Sequence, residues 1–494
     1  MSNKYILVID QGTTRTKATI FDHSGNVISH AYREITNIYP QPGWIETDAM
    51  KIWISVVDVI TESLIMSSLS FNDIDSVGVT NQRETTVVWD KKTGKPVYNA
   101  IVWQSRQTAD ICDKVSKYEK EIFKRTGLLV NHYFSAYKIR FILDHVKNGQ
   151  KRAEKDELIA GTIDSWIIYK LTNHKVFATD YSNASRTLLF NINTLQWDDY
   201  LLKLFNIPKK MLPQVCDSSH DYGVISYFSN SVHITGVAGD QQASLFGQRC
   251  FKKGDYKTTY GTGAFVLTNI GNKPLYSKNK MLTTIAWKVN NEVTYCLEGS
   301  VFLCGGLINW LKNGVKLIDQ EASTEVLAKQ VKDTHGVYVV PAFTGLGAPY
   351  WDNDVKGSIL GLTIGTTKAH ICRAALESMA YQVKDVVDTL KKETKLNTNL
   401  MKVDGGSCKS ELLLQFQSDI LRTKIKRSRS EEITALGACY LAGLQTGYFK
   451  NIDDINNIPV VGKELSPKMK IDQAKNKCAI WKKAVAATRV FKTK

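Results

Sequence analysis

Two segments of this chain share one unusual order: an apolar strand, a turn rich in glycine and threonine, and a second strand. The first segment has a strand at 4–10, a turn at 11–14 and a strand at 17–21, and the second segment, 255–270, turns at 261–263. Such a turn lets the backbone approach a ligand closely, and its N–H groups and hydroxyls can hold phosphate. We therefore predict two phosphate-binding hairpins and an internal duplication.

The rest of the sequence alternates strand patterns with helix patterns, which is typical of an α/β fold. The predicted elements include a helix capped by Thr47 or Asp48, helices at 163–171 and 370–390, and a strand at 401–404 that ends before paired glycines. A length of 494 residues exceeds one ordinary hydrophobic core. We expect two domains, 1–250 and 251–494.

Composition limits the class of partner and the compartment. A formal net charge of +16 would suit a nucleic-acid binder, but the basic residues are mostly dispersed and no nucleic-acid-binding motif accompanies them. The sequence has no apolar run long enough to span a bilayer, so we expect no membrane insertion. The nine cysteines are scattered and form no C-x-x-C pair. This pattern favours reduced thiols and a cytoplasmic location over a disulfide frame or a zinc site.

Three common nucleotide-binding motifs are missing from the sequence. It has no G-x-x-x-x-G-K-[ST] motif, so it is not a Walker NTPase. It has no H-R-D or D-F-G motif of the protein kinases, and no G-x-G-x-x-G follows the first strand as in a dinucleotide-binding dehydrogenase. The two hairpins remain candidates for phosphate binding.

Several charged residues stand beside turns, and each has a functional and a structural interpretation. Asp10 ends the first strand and could hold a hydrated Mg²⁺, or it could be a satisfied turn residue. Asp240 follows a small-residue turn and could be a general base or a helix N-cap. Arg83 and Glu84 could bind hydroxyls as donor and acceptor, or form a surface ion pair. Taken singly, these segments leave both interpretations open.

Taken together and in this order, the segments resemble those of the FGGY carbohydrate kinases, over residues 5–485. The most specific stretches are 9–14, 78–85, 236–247, 259–263, 337–351 and 402–406. Within the family, the run Pro-Ala-Phe-Thr-Gly-Leu-Gly-Ala-Pro-Tyr-Trp at 341–351 resembles most closely the members that phosphorylate glycerol. The resemblance implies two related actin-like, ribonuclease-H-like α/β domains with ATP in the cleft between them.

The resemblance also implies roles for individual residues. Asp240 would be the catalytic base, and Asp10 and Asp240 would lie at Mg²⁺. The glycerol pocket would consist of Arg83, Glu84, Trp103, Tyr133, Asp240, Gln241 and Phe265. The phosphates of ATP would lie among Thr13, Thr14, Arg15, Lys17 and Thr262, and the rest of the nucleotide near Gly305, Asn309, Gly406 and Ser410. The expected products are ADP and sn-glycerol 3-phosphate.

Three departures from the family pattern and three rival functions stay open. Asn309 stands where many members carry Gln and Ser410 where many carry Asn, so the nucleotide preference is less constrained than the chemistry. Phe141 stands where one signature has Trp, which we interpret as a packing variation. The nearest rival is a family kinase of another polyol or ketose such as a pentulose. The others are an actin-fold module that uses ATP as a conformational switch and a nucleic-acid binder. The family commonly forms oligomers, and we expect a homodimer.

Overall fold

The computed structural model describes residues 4–352, 354–396, 399–428, 430–459 and 462–491. The strands are β1 (Tyr5–Gln11), β2 (Arg15–Phe21), β3 (Val27–Glu34), β4 (Glu46–Thr47), β5 (Ile74–Asn81), β6 (Thr86–Asp90), β7 (Ala100–Ile101), β8 (Leu158–Thr162), β9 (Ala178–Asp180), β10 (Phe190–Asn191), β11 (Gln196–Trp197), β12 (Gln214–Cys216), β13 (His233–Gly239), β14 (Tyr256–Tyr260), β15 (Ala264–Gly271), β16 (Leu282–Val289), β17 (Glu292–Val301), β18 (Tyr338–Val340), β19 (Ser358–Leu360), β20 (Leu400–Asp404), β21 (Lys424–Ser428) and β22 (Gly462–Leu465). The α-helices are α1 (Ala49–Ser67), α2 (Ala109–Val115), α3 (Glu119–Thr126), α4 (Ser135–His145), α5 (Gly149–Glu154), α6 (Ile163–Leu171), α7 (Tyr181–Ala184), α8 (Asp199–Phe205), α9 (Asp240–Gly247), α10 (Gly305–Asn309), α11 (Ser323–Ala328), α12 (Lys368–Thr394), α13 (Glu411–Leu421), α14 (Ile433–Thr446), α15 (Ile452–Asn457) and α16 (Ile471–Val490).

The two large sheets repeat one topology. The N-terminal sheet has five strands in the order β13-β5-β1-β2-β3. The C-terminal sheet has seven, in the order β16-β17-β15-β14-β20-β21-β22. In each sheet an antiparallel hairpin, β1–β2 or β14–β15, continues to a third antiparallel strand on one side. On the other side the first hairpin strand pairs in parallel with β5 or β20. The predicted α/β class and its two related halves are confirmed.

The two halves share a hydrophobic core around α14. This helix belongs to the C-terminal half in sequence but packs on β5 and β13 of the N-terminal sheet and on α9. Close approach depends on glycine, because a Cβ added at Gly437 would lie 1.8 Å from the Ala243 carbonyl oxygen. A Cβ at Gly247 would lie 2.1 Å from the Ile433 carbonyl oxygen. The α9–α14 crossing therefore fixes the position of α9, which begins at Asp240.

Local sequence signals place most helix ends correctly. Asp48, rather than Thr47, is the N-cap of α1, since its side chain accepts hydrogen bonds from the Met50 and Lys51 backbone N–H groups. The helix predicted at 370–390 is longer, 368–394.

Within the part of the chain that the structure describes, no helix combines the length and hydrophobicity needed to cross a bilayer.

Candidate active site

The turn of the first hairpin contacts one wall of the predicted substrate pocket. The Gly12 N–H donates to the Arg15 carbonyl at 2.8 Å and closes the turn. The indole Nε1–H of Trp103 donates to Thr13 Oγ1 at 2.8 Å. The Thr14 carbonyl accepts a hydrogen bond from the backbone that follows β3. The turn of the first hairpin and the Trp103 ring are therefore joined by a side-chain hydrogen bond.

The two cations of β2 have different surroundings. Lys17 pairs with Asp10 in the β1–β2 register, and its Nζ lies 2.5 Å from Glu432 Oε1. Arg15 Nη2 lies 3.5 Å from Glu34 Oε1, and 55% of the Arg15 side chain is exposed. Lys17 therefore belongs to the group of charges at the end of β1, whereas Arg15 lies on the solvent side of the hairpin.

The second hairpin is held against the start of α10. The Gly305 N–H donates to the Gly261 carbonyl at 3.0 Å, and the Gly306 N–H donates to the Thr262 carbonyl at 3.0 Å. A Cβ at Gly305 would lie 2.7 Å from the Gly261 carbonyl oxygen, so a larger residue would push α10 away from the turn. Thr262 is thus fixed through its backbone against the start of α10.

Carboxylates from both halves of the chain lie close together. Among the described residues, no group of three or more His, Cys, Asp or Glu side chains is placed to hold a metal by itself. Burial, followed by the nearby carboxylates Glu432 and Asp240, raises the pKa of Asp10 to about 7, against the opposing effect of Lys17. Burial also raises the pKa of Asp240, against Arg83 and the Lys257 ammonium. A cation between these carboxylates would relieve their repulsion.

Asp240 is the first residue of α9, and the N-cap position is taken by Gly239. The interpretation of Asp240 as the N-cap residue is therefore wrong, because Asp240 occupies the first helical position, N1. Its Oδ1 instead accepts a hydrogen bond from the adjacent Gln241 N–H at 2.7 Å and lies 3.4 Å from Arg83 Nε. A carboxylate in the first turn of a helix also lies in the favourable field of the helix dipole.

Arg83 and Glu84 belong to a buried network of four charges, not to a surface ion pair. Arg83 binds Glu298 through Nη1–Oε2 at 2.6 Å and Nη2–Oε1 at 3.1 Å. Arg186 Nε lies 2.5 Å from Glu84 Oε1, and its Nη2 lies 3.2 Å from Glu298 Oε1. Although burial alone would raise the pKa of Glu298, Arg186 and Arg83 lower it to about 2. Glu84 also has a φ of 60°, which is unusual for a residue with a side chain.

Three aromatic rings form a wall beside these charges. The Trp103 ring meets Tyr133 edge-on at a centroid distance of 5.5 Å and Phe265 at 6.2 Å. The guanidinium of Arg83 lies 5.8 Å from the centre of the Phe265 ring. The arrangement offers hydrogen-bonding groups on one side and an apolar surface on the other, which suits a small polyhydroxy compound.

A buried lysine links Asp240 to the C-terminal sheet. Lys257 of β14 donates to Gln241 Oε1 at 2.7 Å and to Thr259 Oγ1 at 2.6 Å. Thr259 in turn donates to Asp404 Oδ1 at 2.5 Å. Burial lowers the pKa of Lys257, and the carboxylates of Asp404 and Asp240 oppose that effect. Lys257 thus connects Gln241, the neighbour of Asp240, to Asp404 through Thr259.

A cavity of about 430 Å³ adjoins the second hairpin. Its lining includes Gly305, Ile308, Met379, Gly406, Ser407 and Ser410. A Cβ at Gly406 would meet no atom within 4 Å, so the backbone there faces open space. The Ser410 Oγ is the N-cap acceptor for the Leu413 N–H at 3.2 Å. The volume is in the range of small-ligand sites.

Both halves of the chain match one known family. Residues 5–247 match the N-terminal domain of the FGGY family of carbohydrate kinases, and residues 256–446 match its C-terminal domain. The chain belongs to the FGGY family of carbohydrate kinases. A protein of Brevibacillus brevis named glycerol kinase is 51% identical to this FGGY chain over 496 residues, covering 100% of the chain and 99% of the relative.

Solved structures agree with the family assignment. The Plasmodium falciparum glycerol kinase with ADP is 36% identical, with a TM-score of 0.90, and the match covers 98% of each chain. The ligand-bound xylulose kinase of Lactobacillus acidophilus is 22% identical, with a TM-score of 0.83 over 97% of this chain and 96% of that one. The second likeness shows that the FGGY fold itself accommodates enzymes named for different substrates.

In this FGGY kinase, two of the predicted site residues have side chains that lie outside the contacts described above. Asn309 is exposed and accepts a hydrogen bond from Asn313 Nδ2 at 3.1 Å, whereas its neighbours Gly305 and Ile308 line the 430 Å³ cavity. Arg15 is directed toward Glu34. The proposed roles of both residues would require a side-chain movement.

Four residues of this site were not found from the sequence: Arg186, Lys257, Glu298 and Asp404. Glu298 and Lys257 lie within strands and are fully buried, so a charged residue in the interior of a strand was the available signal. Arg186 lies in an irregular segment after α7 and carried no such signal.

Proposed function

We propose that this chain transfers the γ-phosphoryl group of ATP to a terminal hydroxyl of glycerol, giving ADP and sn-glycerol 3-phosphate. The observation that carries the proposal is identity of about one half, over essentially the whole length, to proteins named glycerol kinase: 51% for Brevibacillus brevis and 51% for Lactobacillus acidophilus. The small pocket of charges and aromatic rings is consistent with a three-carbon triol.

In the proposed complex, hydroxyl groups of glycerol bind Arg83, Glu84 and Asp240. Glu84 supplies an acceptor and Arg83 a donor, and both are already oriented by Arg186 and Glu298, so little side-chain ordering is needed on binding. The wall residues Trp103, Tyr133 and Phe265 cover the carbon backbone, and Gln241 completes the pocket beside Asp240. Preorganisation of this kind favours a near-attack geometry.

The phosphates of ATP are proposed to lie between the two hairpins, near Thr13, Thr14, Arg15, Lys17 and Thr262. Backbone N–H groups of such turns and the Lys17 ammonium stabilise the charge of the transferring phosphoryl group. The nucleoside is proposed to occupy the cavity lined by Gly305, Gly406 and Ser410. Asn309 would have to turn its side chain toward this cavity to contact the nucleoside.

Asp10 and Asp240 are the residues that would hold Mg²⁺. The metal, when bound, would neutralise phosphate charge, and Mg²⁺ commonly takes one or two protein carboxylates together with substrate phosphates. The raised pKa of Asp10 fits this assignment, because its carboxylate lies near other carboxylates. Asp240 would accept the proton of the attacking hydroxyl, and its raised pKa makes it a better base than an ordinary aspartate.

The proposal is tested by ADP release coupled to a reporter, with Mg-ATP and a panel of glycerol, dihydroxyacetone, xylulose and ribulose. Saturable turnover on glycerol, lost by at least about a thousandfold in Asp240→Asn, is the expected result because base and metal contacts are removed together. Turnover on a pentulose alone would overturn the substrate assignment. ATP binding without turnover on any acceptor of the panel would instead indicate an actin-fold module that uses ATP as a conformational switch.

Three further features belong to the proposal. The domain boundary near residue 250 is supported by family models that end at 247 and resume at 256. A cytoplasmic location is supported by the nine cysteines, all buried as free thiols. A homodimer would give twice the chain mass of 55.5 kDa in light scattering, whereas a monomer or tetramer would contradict it.

A further inference from the structure

A cavity of about 400 Å³ lies between the two halves, away from the candidate active site. The β2–β3 loop and α14 form one side, and the end of α9 with β20 and β21 forms the other. The loop lies at the opposite end of β2 from Arg15, about 20 Å along the strand. The end of α9 lies about 11 Å along the helix from Asp240. β2 and α9 therefore extend from the candidate active site to this cavity.

Three cations line this cavity: Arg249, Lys402 and Lys426. None of the described lining residues carries a carboxylate. Lys426 stands opposite Glu464 in the β21–β22 register, but the two form no ion pair among the described residues. The cavity is therefore a region of positive charge without an internal counter-charge.

The cations retain unused donors. Arg249 Nη1 donates to the Ile458 carbonyl at 2.6 Å and Nη2 to Tyr440 Oη at 3.0 Å, while its buried Nε has no hydrogen-bond partner. Lys402 Nζ donates to the Gln248 and Arg249 carbonyls at 2.7 and 2.9 Å, which leaves one of its three N–H groups unused. An anion in the cavity could accept a hydrogen bond from the remaining N–H group of Lys402.

The remaining surface of the cavity is largely apolar. Leu436, Tyr440, Ile458 and Pro459 form a wall beside the cations. An inorganic anion would leave that wall in contact with water, whereas an organic group attached to the anion would cover it. We propose that this cavity is a binding site for a small organic phosphate, with the phosphate on the three cations and the carbon part on the apolar wall.

This cavity is separate from the proposed ATP and glycerol sites, so the organic phosphate can bind while ATP and glycerol are bound.

The test is isothermal titration of the full chain with phenyl phosphate, with the active site saturated by glycerol and a non-hydrolysable ATP analogue. One saturable site per chain is expected, with weaker binding of inorganic phosphate and none of phenol. No saturable binding, or equal affinity for inorganic phosphate, would overturn the proposal.

Lys426→Met is the decisive variant, because Lys426 holds no structural hydrogen bond among the described residues. It should weaken phenyl phosphate binding by about tenfold or more, the usual effect of losing one charge-assisted hydrogen bond. Lys426→Arg should restore most of the affinity. Lys424→Met makes the same change two positions away on β21, outside the cavity lining, and should bind as the wild type does. Equal affinity in Lys426→Met and the wild type would overturn the assignment.

Discussion

Arg83 of the N-terminal half and Glu298 of the C-terminal half form a two-point salt bridge across the domain interface, at 2.6 and 3.1 Å. Both side chains are almost completely buried, at 1% and 0% exposure. Glu298 therefore orients a predicted substrate ligand from the other domain. A buried pair of this kind is costly to break, since each remaining charge has lost its contact with water.

Glu298→Gln should lower both stability and glycerol affinity. The variant leaves Arg83 and Arg186 buried without their shared counter-charge, and we expect a loss of about 3 kcal/mol in the free energy of unfolding. Urea unfolding and the KM for glycerol measure the two effects. Glu292→Gln, on the exposed end of the same strand β17, is the matched control and should change stability by less than about 0.5 kcal/mol. Unchanged KM in Glu298→Gln would contradict the orienting role.

Asp10→Asn should raise the stability of the protein above neutral pH while it lowers the activity. The pKa of Asp10 is raised to about 7, above its ordinary value of 3.8, so the folded state holds this proton more tightly than the unfolded state between those pH values. Wild-type stability therefore falls through this group as pH rises from about 4 to 7. The asparagine variant lacks that fall and should be about 4 kcal/mol more stable than the wild type at pH 8.

The same variant should lose turnover by about a hundredfold or more, because a proposed Mg²⁺ ligand is missing. Unfolding free energies of both proteins at pH 4, 6 and 8, without nucleotide, supply the comparison. An identical pH dependence for the two proteins would show that Asp10 is not protonated in the folded state near neutral pH.

The regular elements of the site were predictable because their signals are local. The two hairpins show strand patterns with Gly/Thr turns, and they form at β1–β2 and β14–β15. The helix predicted to begin at Ser410 has that residue as its N-cap and begins one residue later. The positions of Asp10 and Thr262 beside these turns follow from the same local patterns.

The charge network was not predictable, because its members are far apart in sequence. Arg83 and Glu298 are separated by 215 positions, and Arg186 and Glu84 by 102. No periodicity or motif joins them; only the packing of β17 against the N-terminal half brings them together. The direction of the Asn309 side chain could not be predicted either, since a helical position alone does not determine which face a short helix buries.

Lys257→Met should shift the pH dependence of catalysis. The Lys257 ammonium lowers the pKa of Asp240 by its charge, so its loss should raise that pKa further and move the acid limb of kcat/KM to higher pH. Methionine keeps the length and burial of the side chain, and circular dichroism verifies folding. Lys253→Met, at an exposed position before β14, should leave the profile unchanged. An unshifted acid limb in Lys257→Met would exclude electrostatic contact with the base.

The hydrogen bond from Trp103 Nε1 to Thr13 Oγ1 should couple the polyol pocket to the phosphate hairpin. Trp103→Phe removes the donor and Thr13→Val removes the acceptor with little change in shape. Each single variant should raise the KM values for both glycerol and ATP, because either substrate site loses the contact that positions it. The double variant should lose less than the sum of the two, with a coupling free energy of about 1 kcal/mol. Strict additivity in kcat/KM would mean that the bond does not connect the two sites.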